Sequence, residues 1–189
     1  MRLMDILREA TGYSPHGFDV LLPYIERELN VKVNGHLDSG TMSDVFKLSD
    51  GRLLKITSSA DDADGLYTAM MNQFGLIGTK LPIIPVYAVY RVSTEELKRI
   101  FPKSFVIGRS KDNIFIAILA EATKVGSADI DVQSDLEDEL TRYGFRPDDV
   151  HTDNVGWYDN RWVLIDPSFR TDFNNTGKIK ELKLDFTGV

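Results

Sequence analysis

Carboxylate and amide side chains are concentrated in the segment DDVHTDN, residues 148–154. The sequence VGWYDNRWVLIDPS follows it and reads as two short strands around a central Asp-Asn turn. Because a hairpin returns the chain to its starting point, Asp166 is expected to lie beside Asn154. An amide oxygen and a carboxylate placed there suit Mg²⁺ held together with nucleotide phosphates. Asp149 would then accept a hydrogen bond from an attacking hydroxyl.

The same residues have ordinary structural uses, because Asp and Asn cap turns and end strands in many proteins. Either half of the pattern alone favours that interpretation, whereas the two halves together favour a functional site. His151 would either face a phosphate or structure the loop, and the sequence leaves both roles open. A metal-hydrolase cluster of Asp149, His151, Asp153 and Asp166 is disfavoured, because zinc sites of that kind usually have at least two His or Cys ligands.

A second group of small polar residues lies in LDSGTMSDVFKL, residues 37–48. Four of its members would leave their backbone N–H groups open to phosphate oxygens: Ser39, Gly40, Thr41 and Ser43. Lys55 follows Val45 in a strand-like segment, where alternation would turn its ammonium group toward the same face as core residues and so toward bound phosphates. Because only one glycine of a glycine-rich pattern is present, this segment alone favours a plain hairpin with an exposed lysine.

Apolar periodicity and turn signals predict the elements that position these groups. The first thirty residues read as helical, with Ser14-Pro15 as a helix start and Pro23 as a break or kink. Further helices are predicted over about 61–74, 93–100 and 132–143. Strands are predicted in VKVNGHL, on both sides of Asp50-Gly51, in LPIIPVYAVYRVS, in the fully buried NIFIAILAEA, and over 155–158 and 162–165. The predicted fold class is α+β, with residues 1–30 as a helical extension, 31–122 as a strand-rich lobe and 123–189 as a smaller helical lobe.

Composition limits the classes of function. The 189 residues carry a formal net charge of −7, which does not favour binding to nucleic-acid backbones and leaves basic protein partners open. The chain has no cysteine, which excludes disulfides and thiolate zinc sites and agrees with a cytoplasmic location. No run of about eighteen apolar residues predicts a membrane span.

The ordered set of motifs resembles the protein-kinase-like fold. LDSGTMSDVF is similar to its glycine-rich loop, Lys55 to its third-strand lysine, and LIDPS stands where that family has Asp-Phe-Gly. The loop DVHTDN has the Asp-x-His-x-x-Asn form found in small-molecule phosphotransferases. Within the fold, the residues from about Gly35 to Phe169 most resemble the early-gene serine/threonine protein kinases of short-tailed coliphages.

The resemblance implies an antiparallel strand-rich lobe and a truncated helical lobe with ATP and magnesium bound between them. Asp149 would be the catalytic carboxylate, and Asn154 and Asp166 would hold the metal. Residues 39–43, Val45 and Lys55 would contact the nucleotide phosphates or cover them. Residues 119–122, including Leu119 and Glu121, would form a hinge whose backbone meets the adenine.

The resemblance leaves three functions open. The first is transfer of the terminal phosphoryl group of ATP to a hydroxyl of a protein, for example a host protein in host cytoplasm. The second is a kinase-like protein with weak or no catalysis that binds and inhibits a host protein during phage takeover. It is motivated by the absence of glutamate from DDADGLYTAMMNQF and by the short segment after Asp166. The third is a small-molecule kinase, suggested by the form of the DVHTDN loop.

Overall fold

The computed structural model of the chain describes residues 15–75, 81–101, 113–147, 149–169 and 176–187. The fold in these ranges is α+β, as predicted. The helices are α1 Leu22–Leu29, α2 Ala60–Gly75, α3 Thr94–Ile100 and α4 Ile130–Arg142. The strands are β1 Val33–Ser39, β2 Ser43–Leu48, β3 Arg52–Thr57, β4 Val86–Ser93, β5 Asn113–Ala120, β6 Val155–Tyr158, β7 Arg161–Leu164 and β8 Lys180–Glu181. No helix in these ranges is long and apolar enough to cross a lipid bilayer.

Six strands form one sheet in the order β1-β2-β3-β5-β4-β8, and β6 pairs with β7 in a separate two-stranded sheet. The neighbours β1, β2 and β3 are antiparallel. At the other edge, β8 joins β4 in parallel, with Tyr90 opposite Lys180 and Leu182 N–H donating to the Arg91 carbonyl at 2.8 Å. The β8 strand was not predicted, because the Lys-Glu pair that forms it has little intrinsic strand preference.

The chain divides into two compact units. The first contains the described residues of Met1–Ser59, Tyr90–Ile118 and Lys180–Val189, and the second contains those of Ala60–Val89 and Leu119–Ile179. Strands β4 and β5 each pass from one unit into the other. The lysine and the small polar loop of the sequence therefore belong to the first unit, and the DVHTDN loop and Asp166 belong to the second.

The hairpin at Asp50-Gly51 follows the prediction. Gly51 adopts a φ of 84°, which glycine reaches without steric cost, and its N–H donates to the Leu48 carbonyl at 3.2 Å. The Asp50 carboxylate accepts from the Arg52 backbone N–H at 3.1 Å and from its guanidinium at 2.8 Å. The side-chain hydrogen bond from Arg52 lowers the pKa of Asp50. The turn fixes the register in which Val45 faces Lys55.

Strand β5 is also confirmed as a central, doubly covered strand. It lies between β3 and β4, and every residue from Ile114 to Ala120 is buried. A strand with both faces removed from water needs apolar residues at successive positions rather than at alternate ones. The run IFIAILA meets that requirement.

The predicted helix start at Pro15 is wrong, and Ser14 lies outside the described residues. Pro15 lies in a turn, Gly17 has a φ of 74°, and a 3₁₀ turn then covers Phe18–Leu21. Pro23 neither breaks nor kinks a helix, because it occupies the first turn of α1, where a missing N–H costs nothing. The α-helix therefore begins at Leu22 rather than at Pro15.

Candidate functional site

The β6–β7 hairpin returns the chain to the start of β6, as the sequence predicts. Val155 pairs with Leu164, and the N–H of Ile165, the residue before Asp166, donates to the Asn154 carbonyl at 2.9 Å. Left-handed φ angles of 48° and 63° at Asp159 and Asn160 close the hairpin. Two positive angles in succession are typical of the two-residue turns that match strand twist. Local turn chemistry thus places the end of β7 beside the start of β6.

Asp149 is held by two neighbours in its own loop. The Asn154 side-chain amide donates to the Asp149 carbonyl at 3.1 Å and to its Oδ2 at 3.3 Å. His151 Nε2 lies 3.4 Å from the Asp149 Oδ1. Each carboxylate oxygen of Asp149 therefore has a different partner, and the carboxylate remains partly exposed to solvent. Asp148, the other carboxylate at this end of the segment, lies outside the described residues.

His151 structures this loop. Its Nδ1 accepts from the Asp153 backbone N–H at 3.2 Å, which caps the 3₁₀ turn Thr152–Asn154. Because Nδ1 accepts, the proton of the neutral ring is on Nε2, the atom that faces Asp149. Asn154 N–H donates to the His151 carbonyl at 2.9 Å, so ring and backbone fix the same turn. Of the two roles left open for His151, the loop-structuring one is present in the structure.

Thr152 anchors the loop to the segment that precedes α4. Its hydroxyl donates to the Ala128 carbonyl at 2.8 Å and accepts from Gln133 Nε2 at 2.9 Å. The Gly126 N–H donates to the Thr152 carbonyl at 3.2 Å. The sequence analysis assigned no role to Thr152. Threonine hydroxyls commonly form hydrogen bonds with backbone groups.

Asp166 precedes a backbone segment that packs against α2. A Cβ placed on Gly65 would clash with the Pro167 carbonyl oxygen and lie 3.2 Å from the Ser168 Cα. Only a residue without a side chain permits this approach in the middle of a helix. Two residues after Pro167, Phe169 packs against Phe145, with ring centroids 4.8 Å apart. Within the second unit, the Asp-Pro-Ser segment is therefore held by the contact of Pro167 with Gly65 and by that of the following Phe169 with Phe145.

Asn154 and Asp166 offer oxygen ligands of the kind that magnesium prefers. The Asn154 side-chain nitrogen points to Asp149, which leaves the amide oxygen at the opposite end of that group. One amide oxygen and one carboxylate suit a Mg²⁺ ion that keeps waters and phosphate oxygens as its other ligands. Across the described residues, no group of three or more His, Cys, Asp or Glu side chains is placed to hold a metal ion. Asn154 and Asp166 alone would supply two oxygen ligands, so a metal held by them would need phosphate oxygens or waters as its other ligands.

In the first unit, three hydrogen bonds hold the loop between β1 and β2 in place. The Gly40 N–H donates to the Ser43 carbonyl at 2.9 Å, and the Ser39 N–H donates to Asp38 Oδ1 at 2.8 Å. The Met42 carbonyl accepts from the Ser58 N–H at 3.0 Å. Two of the N–H groups predicted to face phosphate are thus engaged within the loop. Thr41 is exposed, and Ser43 is buried at the start of β2.

Three side chains that the sequence analysis did not connect hold this loop in place. His36 Nε2 donates to Ser39 Oγ at 2.8 Å, and the Ser39 hydroxyl donates to Asp44 Oδ1 at 2.6 Å. Asp44 is fully buried, so its charge needs such partners. Ser39, predicted as a phosphate contact, uses its hydroxyl inside this network. The burial of Asp44 could have been predicted from the sequence. Alternation along β2 places Asp44 on the same face as Phe46 and Leu48.

Lys55 lies on β3 and is 5% exposed, which contradicts the alternative of a solvent-exposed lysine. Its register partner across the strands is Val45, so their side chains share one face of the sheet. At the predicted hinge, Leu119 is buried within β5 and Glu121 follows that strand half-buried. The Ala120 N–H donates to the Pro85 carbonyl at 3.0 Å, so this stretch is an ordered strand end.

No protein-family model matches the chain, and no curated protein matches it at a significant level of similarity. The case for a function therefore rests on the residues and on their geometry within each unit.

Proposed function

We propose that this chain is an ATP- and magnesium-dependent phosphotransferase with a protein-kinase-like fold, transferring the terminal phosphoryl group to a protein hydroxyl. The observation that carries the proposal is the Asp149–Asn154 hydrogen bond together with the backbone bond to Asn154 from Ile165, the residue before Asp166. Kinase catalytic loops place an Asp base and a metal-binding Asn in the same relation, followed by a metal-binding Asp after a hairpin. The geometry of the second unit supports that correspondence.

The roles follow from what each side chain offers. Asp149 accepts a hydrogen bond from the substrate hydroxyl and orients its oxygen, while Asn154 and His151 keep the carboxylate in position. Asn154 and Asp166 would hold magnesium, which when bound neutralises charge on the nucleotide phosphates. Lys55 is assigned to the phosphates because kinases carry their phosphate-binding lysine on the third strand.

A kinase-like binding protein without catalysis is the second candidate. It is favoured by the N–H groups of Ser39 and Gly40, which are engaged inside the loop that would cover the phosphates. It is also favoured by α2, whose sequence supplies no glutamate to pair with Lys55. Such a protein would bind a target in the same amount whether or not Asp149 is present.

Transfer of radiolabel from ATP distinguishes these candidates. The purified chain is incubated with Mg-ATP and an unstructured protein rich in serine and threonine, and label on the chain itself is counted separately. Asp149→Asn lowers incorporation at least about a hundredfold, since general base and positioning effects contribute on that order. Asp153→Asn is the matched control, because it makes the same change at an exposed neighbour and leaves incorporation unchanged. Equal incorporation in wild type and Asp149→Asn would overturn the proposal.

A further inference from the structure

The second unit has a cavity of about 490 Å³ between α4 and the β6–β7 hairpin. Its lining contains Asn160, the basic Arg161 and six apolar or acidic residues: Val132, Asp135, Leu136, Glu139, Trp157 and Trp162. A cavity of this size is in the range that holds a ligand or a few side chains of a partner. None of these six residues belongs to the proposed catalytic site.

The two tryptophans form the aromatic wall of the cavity. Their rings meet edge to face, with centroids 5.3 Å apart and planes at 81°. Both are only half-buried, so part of each indole remains in contact with solvent. Half-exposed tryptophan in a concave surface is the side chain most enriched at binding hot spots. Trp157 and Trp162 therefore contact each other and line this cavity.

The charge of α4 indicates which kind of ligand this cavity would bind. Between Ile130 and Arg142 the helix carries acidic residues and one basic residue, its last. Asp135 and Glu139 are one turn apart on the side of the helix that faces the cavity. Glu139 accepts at 2.9 Å from the guanidinium of Arg161, which also lines the cavity, so the charge that this pair does not offset is that of Asp135. An acidic wall of this kind disfavours phosphates and nucleic acid and favours a cation.

Cations of the chain already use the same surfaces. Lys124 Nζ lies 4.5 Å from the centroid of the Trp157 ring, a distance at which an ammonium group is attracted to an indole face. Lys and Arg side chains also carry aliphatic stems that pack on aromatic rings while the charge reaches a carboxylate. An aromatic wall beside two carboxylates therefore matches a basic side chain flanked by apolar ones.

We infer that this cavity is a docking site for a basic, apolar peptide segment of a partner protein. The inference stands independently of the proposed phosphotransfer, because it concerns binding at a separate surface. The peptide would lay its Lys or Arg stems on Trp157 and Trp162, with their charges directed to Asp135. Its apolar residues would cover Val132.

Intrinsic fluorescence tests the inference, because the chain has two tryptophans and both line this cavity. The probe is an end-blocked octapeptide of alternating leucine and arginine, titrated into the intact chain. The expected result is a saturable change in tryptophan emission. The same peptide with glutamate in place of arginine, and one with serine in place of leucine, should bind at least about tenfold more weakly.

Two variants on the same helix separate docking from general attraction to an acidic protein. Asp135→Asn raises the Kd about fivefold, whereas Asp138→Asn, an exposed residue outside the cavity lining, leaves it unchanged. Equal effects of the two variants, or no saturable change in emission, would overturn the inference. A concentration-dependent dimer in sedimentation without peptide, with the emission change lost in Asp135→Asn, would also overturn it, because a second copy would then be the occupant.

Discussion

Gly65 and Pro167 approach each other so closely that there is no space for a side chain between them. A Cβ on Gly65 would lie 2.9 Å from the Pro167 carbonyl carbon, and closer still to its oxygen. Gly65 lies inside α2, and Pro167 directly follows Asp166, so the contact ties the helix to the candidate metal-binding segment within the second unit. The helix thus contacts this segment through its backbone.

Replacing Gly65 by alanine separates this contact from helix propensity. Propensity alone would stabilise α2 by about 1 kcal/mol, because alanine is the better helix former. The clash with Pro167 should instead destabilise the protein by about 1–3 kcal/mol, as overpacking in a filled site does. Chemical denaturation measures the free energy of unfolding. Gly35→Ala is the control, since a Cβ there meets nothing within 4 Å, and a stabilised Gly65→Ala would contradict the close contact.

Thr152→Val tests the anchor of the DVHTDN loop while keeping the shape of the side chain. The change removes the hydrogen bonds to Ala128 and from Gln133, which should cost about 1–2 kcal/mol of stability. It should also lower the rate of phosphoryl transfer more than it weakens Mg-ATP binding, because the loop carries Asp149. Steady-state kinetics and thermal unfolding measure these effects. Thr141→Val, at an exposed position of α4, should leave the kinetics unchanged.

Asp19 makes stability depend on pH. Burial raises the pKa of its carboxyl, with a smaller contribution from the nearby Asp44 charge, and backbone hydrogen bonds partly oppose the shift. Its Oδ1 is the buried side-chain oxygen that has no hydrogen-bond partner among the described residues. A carboxyl with a raised folded pKa contributes stability at low pH that is lost as pH rises through that pKa.

Asp19→Asn should therefore raise the Tm at pH 7, with a gain that shrinks as the pH falls from the raised pKa toward the ordinary range of a carboxyl. Thermal unfolding followed by circular dichroism from pH 3 to 7 gives the comparison. Asp50→Asn is a control of opposite sign, because the hydrogen bond from Arg52 lowers the pKa of Asp50. That variant should lose stability at pH 7 and match wild type at low pH. A pH-independent difference for Asp19→Asn would contradict this account.

Features that depend on local chemistry could be predicted from the sequence. The pairs Asp50-Gly51 and Asp159-Asn160 indicate turns in the sequence, because few residue types tolerate the positive φ that such turns require. A turn of known length fixes which residues lie opposite, so the return of the chain to Asn154 just before Asp166 followed directly. The continuous apolar run of β5 likewise indicated burial on both faces.

Features that depend on distant partners could not be predicted. Gly65 looks like a weak point in a helix until Pro167 is placed against it. The network from His36 through Ser39 to Asp44 depends on the register and bulges of β1 against β2, which propensity does not specify. The start of α1 was placed too early because Pro15 and Pro23 are both acceptable first-turn residues, and tertiary packing decides between them.

The central claim is that Asn154 and Asp166 bind a nucleotide through its metal, and calorimetric titration with ATP tests it most directly. Wild type should bind ATP in the presence of Mg²⁺ and at least about tenfold more weakly when the metal is chelated. Asp166→Asn should lose that dependence on the metal, while Asp153→Asn should retain wild-type affinity. Undetectable binding by folded wild type, or an equal affinity with and without Mg²⁺, would contradict the account.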